Sequence, residues 1–188
     1  MEVPNRVQTV AAAAEAAGMV SSCVPEVGAL LATLAASIRP GGRILELGTG
    51  GGVGVAWLVH GLRGRTDVTI TSVEIDAGLH GLTASHAWPA NVHLVHGDAL
   101  EVMEAGRYWQ LVFADAPAGK WYGLDTTIDS LADEGVLVLD DMVPPDYLAE
   151  ADRARMAEIR SAVLGDDRLV SVELTHGSGV VLGARMPR

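Results

Sequence analysis

Lysine is nearly missing from this chain of 188 residues: Lys120 is the only one, and every other basic side chain among the thirteen is arginine. With 24 acids the formal charge is −11, which counts against bare nucleic acid or an anionic membrane as partner, because phosphate contacts need clustered cations. Cysteine is also scarce. The single Cys23 excludes an internal disulfide and a cysteine-only metal cage, and it fits a reducing, cytoplasmic setting. No long apolar run is present either. The best stretch, residues 24–38, is broken by Pro25, Glu26 and Thr33, so neither a signal peptide nor a membrane span is expected. Internal repeats, low-complexity linkers and long charge runs are lacking too, which leaves no domain boundary to propose. The expectation is one soluble domain over 1–188 with a small-molecule partner.

What is plentiful is glycine, and it is concentrated. Arg43-Ile-Leu-Glu-Leu-Gly-Thr-Gly-Gly-Gly-Val-Gly54 runs a short apolar strand into a glycine-packed turn and on into an apolar-periodic stretch over 53–62. Glycines at 48, 50, 52 and 54 leave no Cβ between a ligand and the backbone, and the following helix aims its unpaired N–H groups at whatever lies over the turn. Taken alone, such a turn serves nucleotide-like binding or close packing of strand on helix.

The rest of the pattern supplies context. Residues 7–17 and 25–38 are helix-favouring, the second with Pro25 in its first turn, and together they make an N-terminal helical cap over 1–40. From there to 188, apolar runs at 44–47, 68–73, 92–95, 110–114 and 136–139 alternate with helical patterns at 53–62, 77–87, 99–105, 124–131 and 147–164. Strands of continuous apolar character are buried on both faces, which predicts an α/β fold with a parallel sheet between two helical layers. Two further strands, 169–174 and 180–184, are separated only by His176-Gly-Ser-Gly179, so the last pair of this seven-stranded, mostly parallel sheet is expected to be antiparallel.

Five strands end in or just before an acid: Glu46, Glu74, Asp98, Asp115, and the pair Asp140-Asp141. In a parallel sheet these carboxylates gather at one edge, where open α/β sheets bind ligands. Each acid also has a plainer use as a helix cap or a solvated turn residue, but five together point to a site. Glu74 is placed to accept the two hydroxyls of a ribose, and Asp98 beside Ala99 to receive an adenine amine. Asp115 with Asp140 and Asp141 could form an oxygen-rich pocket for a hard cation such as Mg²⁺.

Ile44-Leu-Glu-Leu-Gly-Thr-Gly50, Val73-Glu-Ile-Asp76, Gly97-Asp-Ala99, Phe113-Ala-Asp115 and Gly135-Val-Leu-Val-Leu-Asp-Asp141 resemble the ordered motifs of S-adenosylmethionine-dependent methyltransferases with a Rossmann-like sheet. Within that superfamily the chain is most similar to the small O-methyltransferases related to the catechol and caffeoyl-CoA enzymes. The resemblance covers about residues 20–185 and implies a reversed C-terminal strand. It also implies that the stretch Val20-Ser-Ser-Cys-Val-Pro-Glu26, Ser22 included, lines the cofactor. In such enzymes an acid like Asp115 begins a metal site that an Asp-Asn pair completes. Here that pair is Asp140-Asp141, and the family's lysine, three residues after the first acid, corresponds to Lys120 five residues after Asp115, as though two residues were inserted.

These readings combine into an enzyme that moves a methyl group from S-adenosylmethionine to an oxygen of a small hydroxylated, aromatic or other, acceptor. Glu46, the turn glycines, Glu74, Asp98, Ala99 and Asp115 are expected around the cofactor, Asp115, Asp140 and Asp141 around Mg²⁺, and Lys120 as the base, with Asp115 beside it. Lysine can lose its proton in a desolvated pocket, whereas arginine keeps it. The apolar N-terminal helices suit a homodimer. Three alternatives use the same residues: a metal-independent methyltransferase acting on another small acceptor, a nicotinamide-dependent oxidoreductase, and a non-catalytic cofactor-binding subunit. Spacing counts against the oxidoreductase, since Glu74 lies 26 residues beyond Gly48 where the dinucleotide pattern has about 20. Trp121 and Tyr122 suit either stacking on a substrate or packing under their loop. His93 and His96, on opposite faces of a strand, do not make a joint metal site, and His176 is expected to be solvated. Cys23 borders the cofactor or is an inert buried thiol.

Overall fold

The computed structural model describes residues 2–19, 23–106, 108–144 and 146–187. Two helices, α1 (Asn5–Ala16) and α2 (Pro25–Ser37), lead into an alternation of β1 (Arg43–Leu47), α3 (Val53–Leu62), β2 (Thr69–Glu74), α4 (Ala77–Ala84), β3 (Val92–His96), α5 (Ala99–Ala105), β4 (Trp109–Ala114), α6 (Leu124–Ser130) and β5 (Leu131–Leu139). The chain closes with α7 (Glu150–Leu164), β6 (Leu169–Leu174) and β7 (Val180–Arg185). The seven strands form one sheet in the order β3-β2-β1-β4-β5-β7-β6. The pairs β2–β3, β1–β2, β1–β4 and β4–β5 are parallel, and β7 runs antiparallel to both β5 and β6. The reversal expected of the last hairpin is therefore present.

The continuous apolar runs are explained by a core on each side of the sheet. Ile44, Ile70, Leu111, Phe113, Val138 and Val180 face Leu31, Trp57 and Leu58 on the α1–α3 side. Their alternates, Leu45, Leu47, Val112, Leu137, Leu139 and Val181, face Met103, Ile128, Met156 and Val163 on the α5–α7 side. Successive strand residues point to opposite faces, so a strand covered on both must be apolar at every position. The helices α2 and α3 lie close because a Cβ at Gly61 would run into the main chain of Ala32.

Besides α4, which ends at Ala84 rather than at 87, two elements depart most from the sequence expectation. The last long helix begins at Glu150 rather than at 147, because Arg153 takes the carbonyls of Asp146 and Leu148 into side-chain hydrogen bonds and holds them in turns. The fifth strand begins directly after α6, five residues before the apolar run, and its register against β4 shifts between Trp109 and Leu111 where Glu134 takes a left-handed φ of 63°. That irregularity ends before Val136, so the strand reaches Asp140 in regular register. Among the described residues no helix is long and apolar enough to cross a membrane.

Strand order reverses direction at β1, between β2 and β4, and α3 leaves from its carboxyl end. A crevice opens beyond the strand ends at such a switch point, and the acids that follow or end β1, β2, β4 and β5 line it.

Candidate active site

The glycine turn is built around close approaches. Gly48, at φ 95°, sits where a Cβ would come within 2.9 Å of both the Ala116 side chain and the Asp115 carbonyl, so no larger residue fits between the ends of β1 and β4. Its N–H and that of Thr49 both donate to the Val73 carbonyl, at 3.0 and 3.1 Å, pinning the turn to β2. A Cβ at Gly54 would overlap Glu46 Oε1, so that glycine leaves room for a buried acid beneath the turn.

Glu46 is 1% exposed. The Ser72 hydroxyl donates to it, and the Thr49 hydroxyl lies 2.5 Å from Ser72 Oγ. Burial pushes the Glu46 carboxyl up to about 8; the Ser72 hydrogen bond opposes the shift, and the charges of Asp115 and Glu74 add to it. Glu74, at the end of β2, accepts the Gly50 N–H at 2.8 Å and the Asp76 N–H at 2.9 Å, which orients its carboxylate along the turn.

Glu46, Gly48, Gly50, Gly54, Glu74, Asp115, Asp140 and Asp141 line one cavity of about 180 Å³ together with Cys23 and Val24. Of the sequence candidates, Gly52 faces elsewhere: it is the αL N-cap of α3, and a Cβ there would press on Thr83. Asp98 caps α5 by accepting the Leu100 N–H at 2.8 Å, and neither it nor buried Ala99 lines the cavity. Ser22 lies outside the described residues. Burial, with the nearby acids adding to it, pushes the Cys23 thiol far above its ordinary range, so it is inert as a nucleophile.

A second cavity, of about 580 Å³, adjoins the first. Asp115, Asp141 and Ser178 belong to both walls, and Lys120, Trp121, Tyr147 and Met156 line the second alone. Trp121 thus faces a cavity, while Tyr122 is half exposed outside it. Asp115 is partly exposed where the two cavities meet, and protein encloses most of the rest of it. Burial raises its carboxyl to about 8, Asp140 and Asp141 add to that, and Lys120 opposes it. Asp140, 2% exposed, is also pushed up by burial, against hydrogen bonds from the Ser178 hydroxyl and the Asp141 N–H.

Lys120 is the single buried lysine of this cleft, 5% exposed, and its Nζ donates to the main-chain carbonyl of Asp140 at 2.8 Å. The three acids expected to hold Mg²⁺ do share a cavity wall. They are not assembled as ligands: among the described residues no three of His, Cys, Asp and Glu stand together as a metal cage, and one Asp140 oxygen already receives two donors. The donor set as folded does not fit a divalent cation.

The fold that carries these two cavities is shared with solved proteins. The methyltransferase-domain family profile matches residues 45–142, more than half of the chain and the whole span from β1 past the Asp140-Asp141 pair. The chain belongs to the methyltransferase family. Among its relatives are candidate O-methyltransferases of Mycolicibacterium smegmatis, 30% identical with 94% of this chain and 90% of that one covered, and of Mycolicibacterium vanbaalenii, 32% identical with 90% and 78% covered. The O-methyltransferase TomG of Streptomyces achromogenes, solved in complex with SAM, superposes with a TM-score of 0.79 at 21% identity, covering 99% of this chain and 92% of that one. A candidate O-methyltransferase from Klebsiella pneumoniae gives 0.83 at 21% identity, covering 100% and 92%. The expected family and Rossmann-like fold are thus established for this methyltransferase.

Sequence reasoning missed two polar residues of the cleft wall, Thr49 and Ser178, and the buried Ser72 that supports Glu46. Thr49 sits within the glycine turn and Ser72 beside another hydroxyl residue, Thr71, while Ser178 sits in a hairpin turn about which strand-end logic says nothing.

Proposed function

We propose that this O-methyltransferase uses S-adenosylmethionine and methylates an oxygen of a small, uncharged or weakly charged hydroxylated acceptor. The carrying observation is that two cavities meet at Asp115, one walled by bare backbone and acids, the other by Lys120 and apolar side chains. Gly48 and Gly50, with Glu46 and Glu74, would hold the cofactor's amino-acid and ribose portions; a positively charged amino group suits the buried acid, and ribose hydroxyls can add to Glu74's existing donors. When bound, the cofactor supplies an electrophilic methyl group.

The chain's own part is positioning and proton handling. Trp121, Tyr147 and Met156 would exclude water and hold the body of the acceptor by its apolar surface. A hydroxyl at the junction would lie beside Asp115, which is poised near neutrality and takes its proton as the oxygen becomes a nucleophile. Lys120, anchored on the Asp140 carbonyl, would stand beside Asp115 and the developing oxyanion as their cationic partner. Support for Asp115 over Lys120 as the acceptor of the proton comes from its place on both walls; Lys120 lines only one.

Calorimetric titration with S-adenosylhomocysteine and with NAD tests the cofactor assignment. Methyl-labelled S-adenosylmethionine offered with a panel of mono- and dihydroxylated benzenes, read by mass spectrometry, tests transfer to oxygen. Binding of NAD in place of S-adenosylhomocysteine would return the oxidoreductase reading, and binding without transfer to any acceptor would favour a cofactor-binding subunit.

A further inference from the structure

The third residue common to both cavities is Ser178. It lies in the turn between β6 and β7, where Gly177 and Gly179 adopt φ of 61° and 85°. On one side this turn grips the segment that follows β5: the Met142 N–H donates to the Gly179 carbonyl at 2.9 Å and the Val143 N–H to the Ser178 carbonyl at 3.0 Å. On the other side it meets the start of α2. His176 Nε2 is 3.2 Å from the Glu26 carbonyl, and a Cβ on Gly177 would stand 2.8 Å from Val24 Cγ2. Val24 lines the donor cavity, and Val143 the second one. One four-residue turn therefore touches the wall of each.

From this turn the Ser178 hydroxyl donates to Asp140 Oδ1, the same oxygen that receives the Asp141 N–H at 2.7 Å. The Asp140 main-chain carbonyl in turn receives Lys120 Nζ. Ser178, Asp140 and Lys120 form a hydrogen-bonded path that runs from the wall of the first cavity to that of the second. Asp141, at the head of that path, holds a left-handed φ of 58°, a conformation that a non-glycine residue keeps only when its surroundings enforce it. The two donors on Asp140 Oδ1, one of them Asp141's own N–H, are part of that enforcement. Removing the hydroxyl frees the Asp140 carboxylate to rotate and loosens the segment that carries Asp141.

We propose that Ser178 is a positioning residue for methyl transfer, its hydroxyl fixing Asp140 and, through it, the relative placement of Lys120 and Asp115 where the two cavities join. The inference rests on the methyl-transfer reading. It concerns the transfer step and not cofactor capture, because the Ser178 hydroxyl is directed at Asp140 and the donor cradle is built by the glycine turn and Glu74.

The test compares the parent with Ser178→Ala and Ser178→Thr, the latter retaining the hydroxyl at a backbone position without positive φ. S-adenosylhomocysteine affinity is measured by calorimetry, and kcat and KM by methyl transfer from S-adenosylmethionine to the mono- and dihydroxylated benzene panel. Thermal melting checks the fold of each variant. Ser178→Ala is expected to lose about 10- to 100-fold in kcat, the scale of one hydrogen bond to a charged group, with cofactor affinity and acceptor KM within about threefold of the parent. Ser178→Thr is expected to keep most of kcat. A parent-like kcat in Ser178→Ala, or an equal loss in both variants, overturns the inference while the methyl-transfer reading stands. A loss confined to cofactor affinity also overturns it. A parent that neither binds S-adenosylhomocysteine nor methylates the panel overturns the reading and this inference together.

Discussion

Replacing Glu46 by glutamine should make this methyltransferase markedly more resistant to alkaline unfolding. The carboxyl is 1% exposed, has no ion pair among the described residues, and stands near 8 in the fold against 4.5 in the open chain. It therefore holds its proton in the folded state at pH values where the unfolded chain has released it. Below about 4.5 the group is protonated in both states and its contribution is intact; as pH rises toward 8 the unfolded chain gains the free energy of ionisation alone, and stability falls. At about 1.4 kcal/mol per pH decade, the loss between pH 5 and pH 9 is on the order of 4 kcal/mol. Glutamine keeps the shape, can still accept the Ser72 hydroxyl through its amide oxygen, and does not ionise. Urea unfolding of parent and Glu46→Gln at pH 5, 7 and 9 reads the difference directly, since effects of the overall negative charge are nearly common to both. The two proteins should converge at pH 5 and diverge steadily above it, with Glu46→Gln the more stable. Parallel stability curves across this range would refute the claim that Glu46 is held as a buried, protonation-linked acid.

Asp115→Asn should lower kcat by about 10²–10⁴-fold, and in the parent kcat/KM should rise with pH through about 8 as Asp115 ionises, a limb that the variant lacks. Glu74→Ala should weaken S-adenosylhomocysteine binding by about 1–3 kcal/mol in calorimetry, through loss of a charged acceptor and of the brace on Gly50; unchanged affinity would remove Glu74 from the ribose site. Lys120→Ala should cost at least about 10²-fold in kcat with cofactor affinity nearly intact, and recovery of most of that loss in Lys120→Arg would mark it as a charge, whereas no recovery would return the base role to the lysine. Exhaustive chelation should leave turnover unchanged; a loss reversed by added Mg²⁺ would show that Asp115, Asp140 and Asp141 rearrange into a cation site.

The sheet, its two helical layers and the edge at which the acids collect were legible in the residues, because burial on both faces demands an unbroken apolar run and such a run is local in sequence. The reversed final strand was legible for a similar reason: four residues from His176 to Gly179 cannot carry a crossover, so β6 and β7 had to be antiparallel. Glycine spacing announced the cradle, since a Cβ at 48 or 54 has nowhere to go. Which strand-end acids face the cleft was not legible. Asp98 and Glu74 both follow strands, yet one caps its helix and the other braces Gly50. A short acid has several local partners, and only the path of the chain after the strand selects among them. The same holds for Asp115, Asp140 and Asp141, whose types suggest a cation, while their folded partners are Ser178, a backbone N–H and the field of Lys120. Ser178 is the clearest case of what tertiary structure alone decided: 38 residues separate it from Asp140. Only the pairing of β7 beside β5 brings the turn to the strand end, because a hydrogen bond between distant residues leaves no periodic trace in either segment.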